Sequence, residues 1–327
     1  MLTEPRVEEA RTRLVWTMFA GNAIATTGYM GLATVMPIIA RDITGSSTLA
    51  GMPATTATIG VAIGAVLLSW LSIRLGRRPT FALGYAVAVF GSVIAIIGLA
   101  ASSFPLLLAA MLCVGIGRSV GQLSRYAAGD LRSEDRRAGA ISLIIWASTI
   151  GAVVGPLLLG PTGAFALAAG FEEYAGPIAV AVGGYTLVSM LMLIGLRPDP
   201  LKLAVEDHTE AAASGARPLG ELLRISTVQF AIIAVVVSQV VMVLVMVMTP
   251  IHIEDNGGDL VAVGWVMMAH TIGMFALAPL TGWLVDRYGP RNMIVAAVVV
   301  FLASCGLAAT AVTANLPTLI VGLFGLG

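Results

Sequence analysis

Unbroken apolar runs, each long enough to cross a lipid bilayer, leave this chain few folds to choose from. A spanning helix needs roughly 20 apolar residues. Runs of that order fall at 14–40, 49–71, 80–101, 105–129, 138–160, 175–196, 226–251, 260–284 and 292–313, and another begins at 316. Composition agrees, with 58% hydrophobic and 11% charged residues, where soluble domains carry about a quarter charged. The expected fold is an all-α polytopic membrane protein. The first run is too long for a cleavable signal segment, so it counts as a spanning helix preceded by a short charged tail, Glu4–Arg13.

The charges are confined mostly to the loops, and their placement is asymmetric. Alternate loops carry Arg74, Arg77 and Arg78, then Arg132, Arg136 and Arg137, then Arg197, Lys202, Arg217 and Arg224, then Arg287 and Arg291. The opposite loops hold only Arg41, beside the acids Asp42, Glu172, Glu173, Glu254, Asp255 and Asp259. Excess Lys and Arg marks cytoplasmic loops. The N-terminus and the polar segment 197–225 are therefore expected on the cytoplasmic side of the cell membrane, with that segment linking two halves. Cys113 and Cys305 lie inside apolar runs and read as packing residues rather than a disulfide.

One polar hinge stands out between two apolar runs: Gly282-Trp283-Leu284-Val285-Asp286-Arg287-Tyr288-Gly289-Pro290-Arg291. Gly289-Pro290 ends one helix, because proline cannot continue the helix before it. A degraded copy, Ser69-Trp70-Leu71-Ser72-Ile73-Arg74-Leu75-Gly76-Arg77-Arg78, has Ser69 in place of the first glycine and Ile73 in place of the aspartate. Gly76 and Gly289 stand 213 positions apart (289 − 76), and the same offset pairs Pro37 with Pro250, Asp42 with Asp255, and Gly60 with Gly273. An internal repeat of half a protein is implied.

The pattern Gly-x-Leu-x-Asp-Arg-x-Gly-x-Arg resembles the loop signature of the major facilitator superfamily of secondary transporters. The resemblance implies a major facilitator fold, with a six-helix N-terminal half at 1–196, a cytoplasmic linker at 197–225, and a C-terminal half from 226. It also implies gating roles for Arg74, Gly76, Arg77, Arg78, Gly282, Asp286, Arg287, Gly289 and Arg291. Gly327 maps onto Val114, partway along the fourth helix of a half. The second half is therefore expected to be incomplete at 226–327, with helices 7–9 and the start of helix 10, in a C-terminally truncated chain.

Inside the bilayer the exceptional charge is Arg118, about halfway along the fourth run. Gln122 and Arg125 follow on the same helical face, and Asn22, Thr26 and Tyr29 make a polar stripe on the first. Buried ionisable groups are costly in lipid and usually face a cavity or a partner. The resemblance implies that these two helices line the central cavity. Two readings stay open for Arg118: contact with an anionic substrate group or with the proton-coupling machinery, or a structural arginine bonded to helix carbonyls or Asp130. Arg125, nearer the interface, reads as a snorkelling side chain. Drug-exporting members often carry an arginine ahead of a Gly-x-Gly in this helix; Gly115 and Gly117 are present here, with Met111 at the arginine's place.

The fifth run holds Gly151, Gly155, Pro156 and Gly160, which resemble the antiporter motif Gly-x-x-x-Gly-Pro-x-x-Gly-Gly except for Leu159. Small residues four apart also serve plain helix packing. Gln239 and His270 add polar atoms to the seventh and eighth helices. The histidine reads as a hydrogen-bonded packing residue or a proton carrier. No metal-ligand cluster, phosphate-binding loop or nucleophile–base pair stands at a recognisable spacing, so neither a cofactor nor a metal nor an enzyme activity is expected, and no nucleic-acid partner. The expected partners are a small-molecule substrate, a proton as coupling ion and the lipid bilayer. Three functions remain: proton-coupled efflux of small amphipathic compounds, transport of an organic anion or metabolite through Arg118, or a non-transporting membrane fragment.

Overall fold

The computed structural model describes residues 4–203, 219–277, 280–281, 284, 287–311 and 315–326, and among them the fold is entirely helical. The helices are α1 (Glu4–Thr44), α2 (Met52–Leu75), α3 (Arg77–Ala100), α4 (Phe104–Asp130), α5 (Glu134–Leu157), α6 (Leu159–Ala168) and α7 (Ala175–Gly195). After a 3-10 turn at Pro200–Leu203 and a one-turn helix at Leu219–Leu222 come α8 (Ser226–Asp255), α9 (Leu260–Ala276), α10 (Pro290–Thr310) and α11 (Leu316–Leu326). Eight of these helices are long and apolar enough to cross a membrane. The expected all-α polytopic fold is what the structure shows.

Two expectations need correction. The segment Glu4–Arg13 is the first turns of α1, not a tail. It is held in place because Arg11 and Arg13 donate to the carbonyls of Leu203 and Arg197, and Glu8 pairs with Arg132. The fifth run is not one helix to residue 160. Pro156 has no N–H to give and Pro161 follows, so α5 stops at Leu157 and α6 restarts at Leu159, carrying Gly160.

Helix α4 is the hub of the bundle, packed against α2, α3, α5 and α1. Its rotation is set by two glycines. A Cβ on Gly115 would lie 2.1 Å from the Ala57 carbonyl of α2, and one on Gly117 would lie 2.5 Å from the Ala88 methyl of α3. Backbones approach this closely only where side chains are absent. With two sides of α4 pressed on α2 and α3, the next residue, Arg118, is left facing α1. Met111, Val114 and Leu107 fill the core around this seam. On the outside, large apolar side chains such as Val66, Ile73 and Phe165 are fully presented, as a hydrocarbon solvent demands.

The two signature glycines do the same job in the two places. Gly76 (φ +92°) starts α3 and Gly289 (φ +81°) starts α10, each with a left-handed backbone that a side chain would strain.

Candidate functional site

The Arg118 guanidinium lies over the Tyr29 ring, 4.1 Å from its centroid, and donates from Nη1 to the Tyr29 hydroxyl at 3.1 Å. A phenol accepts this bond but carries no charge, so the arginine's charge is polarised rather than neutralised. The pair stands where two cavities meet. One, of about 80 Å³, is polar and lined by Asn22, Thr26, Tyr29, Arg118, Gln122 and Arg125, with Tyr85, Ser148 and Tyr185 also in its wall. The other, of about 140 Å³, runs between α1, α4, α8 and α9 past Met36, Met111, Met242, Met246, Met267 and Gln239. The first is built for hydrogen bonds, the second for an apolar body.

The stripe on α1 is brought to α4 as its spacing suggests, but its members differ in freedom. Asn22 is committed: its Nδ2 donates to the Ile144 carbonyl at 2.9 Å and to the Ser148 hydroxyl at 2.7 Å, tying α1 to α5. Thr26 lines the polar cavity and lies against Gly151. Gln122 reaches the polar cavity and Gln239 the apolar one. The side chain of Arg125 lines the polar cavity beside Arg118, and its Nε is buried without a hydrogen-bond partner. His270 is fully buried between α9 and α11, with Nδ1 3.0 Å from the Leu323 carbonyl, and borders neither cavity.

The glycine motif of α5 forms the seam with α1. A Cβ on Gly151 would meet the Ala23 carbonyl at 2.4 Å, and one on Gly155 the Thr27 carbonyl at 2.6 Å. Gly160 of α6 faces Val261 of α9 instead. Pro156 has a second consequence. It cannot donate to the carbonyl four residues back, that of Ala152. The Thr271 hydroxyl of α9 stands 2.8 Å from that oxygen, with the Met268 and Met267 carbonyls of its own helix at 2.9 and 3.0 Å. A single hydroxyl proton serves three acceptors, and the Ala152 oxygen is the one that Pro156 has left without a helix donor.

At one end of the bundle Arg41 of α1 reaches across to α8, pairing with Asp255 at 2.6 Å and with Glu254, besides its neighbour Asp42. The Tyr174 hydroxyl donates to Glu254. Burial first, then the nearby carboxylates of Asp259 and Glu254, pushes the Glu173 carboxyl above its ordinary range. Burial and the hydrogen bond to Glu254 likewise raise Tyr174. Nothing in the sequence paired Arg41 with α8, although its being the only basic residue in that set of loops was a signal.

At the other end, the degraded hinge has a carboxylate at the start of α3 that comes from elsewhere in the chain. Ile73 points outward, exposed. Asp199, following α7, instead accepts from the backbone N–H of Arg77 at 3.2 Å and of Arg78 at 2.9 Å, capping α3. Arg77 pairs with Asp130, Arg78 donates to the Leu193 carbonyl at 2.7 Å, and Arg74 lies 4.2 Å over the Trp70 ring. In the intact hinge, Arg287 lies over Tyr288, while Gly282, Asp286 and the side chain of Arg291 fall outside the described residues.

A polytopic helical bundle with a polar cavity between α1 and α4 and ion pairs across one end has the build of a solute carrier. The chain belongs to the Major Facilitator Superfamily, whose profile matches residues 18–327. It is 33% identical over 299 residues to the uncharacterized MFS-type transporter YddS of Bacillus subtilis (strain 168), covering 90% of this chain and 69% of that protein. To the uncharacterized MFS-type transporter YdeG of the same organism it is 34% identical over 320 residues, covering 95% of this chain and 74% of that protein. The fold matches the partially occluded, inward-open structure of the xylose transporter XylE from E. coli, with TM-score 0.65 at 15% identity over 97% of this chain and 82% of that one. Family and fold point to a membrane transporter rather than an enzyme.

Proposed function

We propose that the chain acts in secondary transport by alternating access, carrying a small amphipathic organic anion whose charged group meets Arg118. The observation that carries this reading is the position of the Arg118–Tyr29 pair, at the junction of a hydrogen-bonding cavity and a methionine-lined one. Arginine keeps its charge in proteins and needs an anion, dipoles or water when taken out of bulk solvent. Methionine walls adapt to varied apolar shapes. In this reading the N-terminal six-helix half (1–196) and the part of the second half at 226–327 rock about the cavity, with 197–225 linking them. The arginine-rich loops, the N-terminus and the linker face the cytoplasm. The pairs of Arg41 with Glu254 and Asp255 then close the outer end, and the gating work falls to the two hinge loops.

A second reading, export coupled to a counter-moving proton, is favoured by the glycine seam. Gly151 and Gly155 press α5 onto α1, and in this reading that tight seam keeps proton and solute from leaking between those helices.

A matched pair of probes tests the first reading. The chain, reconstituted in lipid nanodiscs, is titrated with 4-butylbenzoate and with 4-butylbenzylammonium. The carboxylate is expected to bind, and Arg118→Gln to weaken it by roughly tenfold or more, the equivalent of about 1.4 kcal/mol. Tighter binding of the ammonium probe, improved further by Arg118→Gln, would end the anion reading. Uptake by proteoliposomes with a trapped pH dye tests the second: proton movement that follows substrate is expected, and uptake without it removes proton coupling.

A further inference from the structure

We propose that the polar cavity is a site for a doubly charged anionic head group, in which Arg125 is the second ligand beside Arg118. The proposal rests on the transport reading and narrows its substrate class to small organic dianions.

Two guanidinium groups line one small chamber. They are seven residues, or two turns, apart on α4 and thus on the same face, and both line the same cavity. No carboxylate stands among the described residues that line it. Like charges that share one small chamber repel, and an anion between them relieves both. A single carboxylate held by Arg118 would leave Arg125 uncompensated.

The donors around the chamber point the same way. The Nε of Arg125 is buried and has no hydrogen-bond partner. The Tyr185 side chain is 1% exposed, and its hydroxyl too is without one. Buried donors without a protein partner are costly, and in a cavity wall such a group is placed to donate to a ligand. Tyr185 is fixed by stacking on Tyr85, ring centroids 6.3 Å apart, so its hydroxyl is presented rather than free to turn away. The Ser148 hydroxyl accepts from Asn22 and keeps its own proton to donate. Arg125, Tyr185 and Ser148 thus form a donor set separate from the Arg118–Tyr29 pair and facing the same space. Cations with fork-shaped donors recognise carboxylates and phosphates by paired bonds. The chamber's 80 Å³ suits a compact head, while the methionine-lined cavity beyond Tyr29 takes whatever apolar part follows.

The test compares succinate with butyrate, which share four carbons and differ by one carboxylate, on the chain in nanodiscs by isothermal titration. Succinate is expected to bind at least roughly tenfold tighter. Arg125→Gln should shrink that ratio to less than threefold, Arg125→Lys should restore part of it, and Tyr185→Phe, which keeps the stacked ring, should lower succinate affinity several-fold. Arg118→Gln should weaken both ligands. Equal affinity for the two acids, or a ratio untouched by Arg125→Gln and Tyr185→Phe, overturns the proposal. If butyrate binds through Arg118 while succinate gains nothing, the dianion inference fails and the anion-transport reading survives. If neither acid binds and 4-butylbenzoate also does not, both fall.

Discussion

Replacing Thr271 with valine should loosen the contact between α5 and α9, and the amount follows from one proline. Pro156 leaves the Ala152 carbonyl without its helical donor, and the Thr271 hydroxyl, 2.8 Å away, takes the donor's place from the neighbouring helix. Valine has the shape of threonine without the proton, so Thr271→Val removes the bond with little change in packing. Hydrogen bonds between membrane helices average about 0.6 kcal/mol and reach about 1.7. This acceptor has no helical alternative, which puts it toward the upper part of that range, about 1 kcal/mol. A shift of that size changes the ratio of closed to open conformers about fivefold.

The proline supplies the control. In a Pro156→Ala background the helix N–H returns to Ala152, and Thr271 can spend its proton on Met267 or Met268 of its own helix. Thr271→Val should then cost little, so a double-mutant cycle should show a coupling of about 0.5–1 kcal/mol. Populations are read as distance distributions between spin labels at Ser46 and Asn256, in a chain with Cys113 and Cys305 replaced by serine. Thr271→Val should widen or shift the distribution toward the longer distance. If it changes the distribution equally with and without Pro156, the proline-to-threonine argument is wrong.

Three other outcomes follow from the loop networks. Asp199→Ala should destabilise the chain by about 1–2 kcal/mol, as the loss of a charged helix cap does, and Ile73→Ala should be nearly silent; a melting temperature indifferent to Asp199 refutes the capping role. Gly76→Ala should be costly alone, since its Cβ would stand 2.5 Å from Asp199 Oδ2 at a φ of +92°, and less than additive with Asp199→Ala. Glu173 provides the pH dependence. Its folded-state affinity for a proton is raised by burial and by Asp259 and Glu254, so its contribution favours the fold at low pH and is lost as pH rises through the folded value. Glu173→Gln mimics the protonated form: it should match wild type well below about pH 4, where a free glutamate is protonated too, and melt higher than wild type at neutral pH. Parallel melting curves across that range would remove Glu173 from the account.

What could be read in the sequence, and what could not, divides by the range of the interaction. Spanning segments were legible because hydrophobic length is a local property, and nearly all of the runs became helices within a few residues of their expected ends. The Arg118–Tyr29 meeting was half legible. Helical spacing places Arg118, Gln122 and Arg125 on one face, and the Gly115–Gly117 pair carries, without saying so, which way that face turns: glycines mark the sides of α4 pressed on α2 and α3, so the arginine has α1 left to meet. Arg125 shares that face, and it lines the same cavity as Arg118. Asp199 was out of reach. Its partners lie 121 and 122 residues away, and only the folded α7 brings it beside Gly76. Seen from the chain, Ile73 looks like a loss of the hinge's carboxylate. Seen in the fold, a carboxylate stands at that helix start after all, supplied from the end of α7. The degraded copy therefore keeps a negative charge at the N-terminus of its next helix, supplied through the fold rather than through the local sequence.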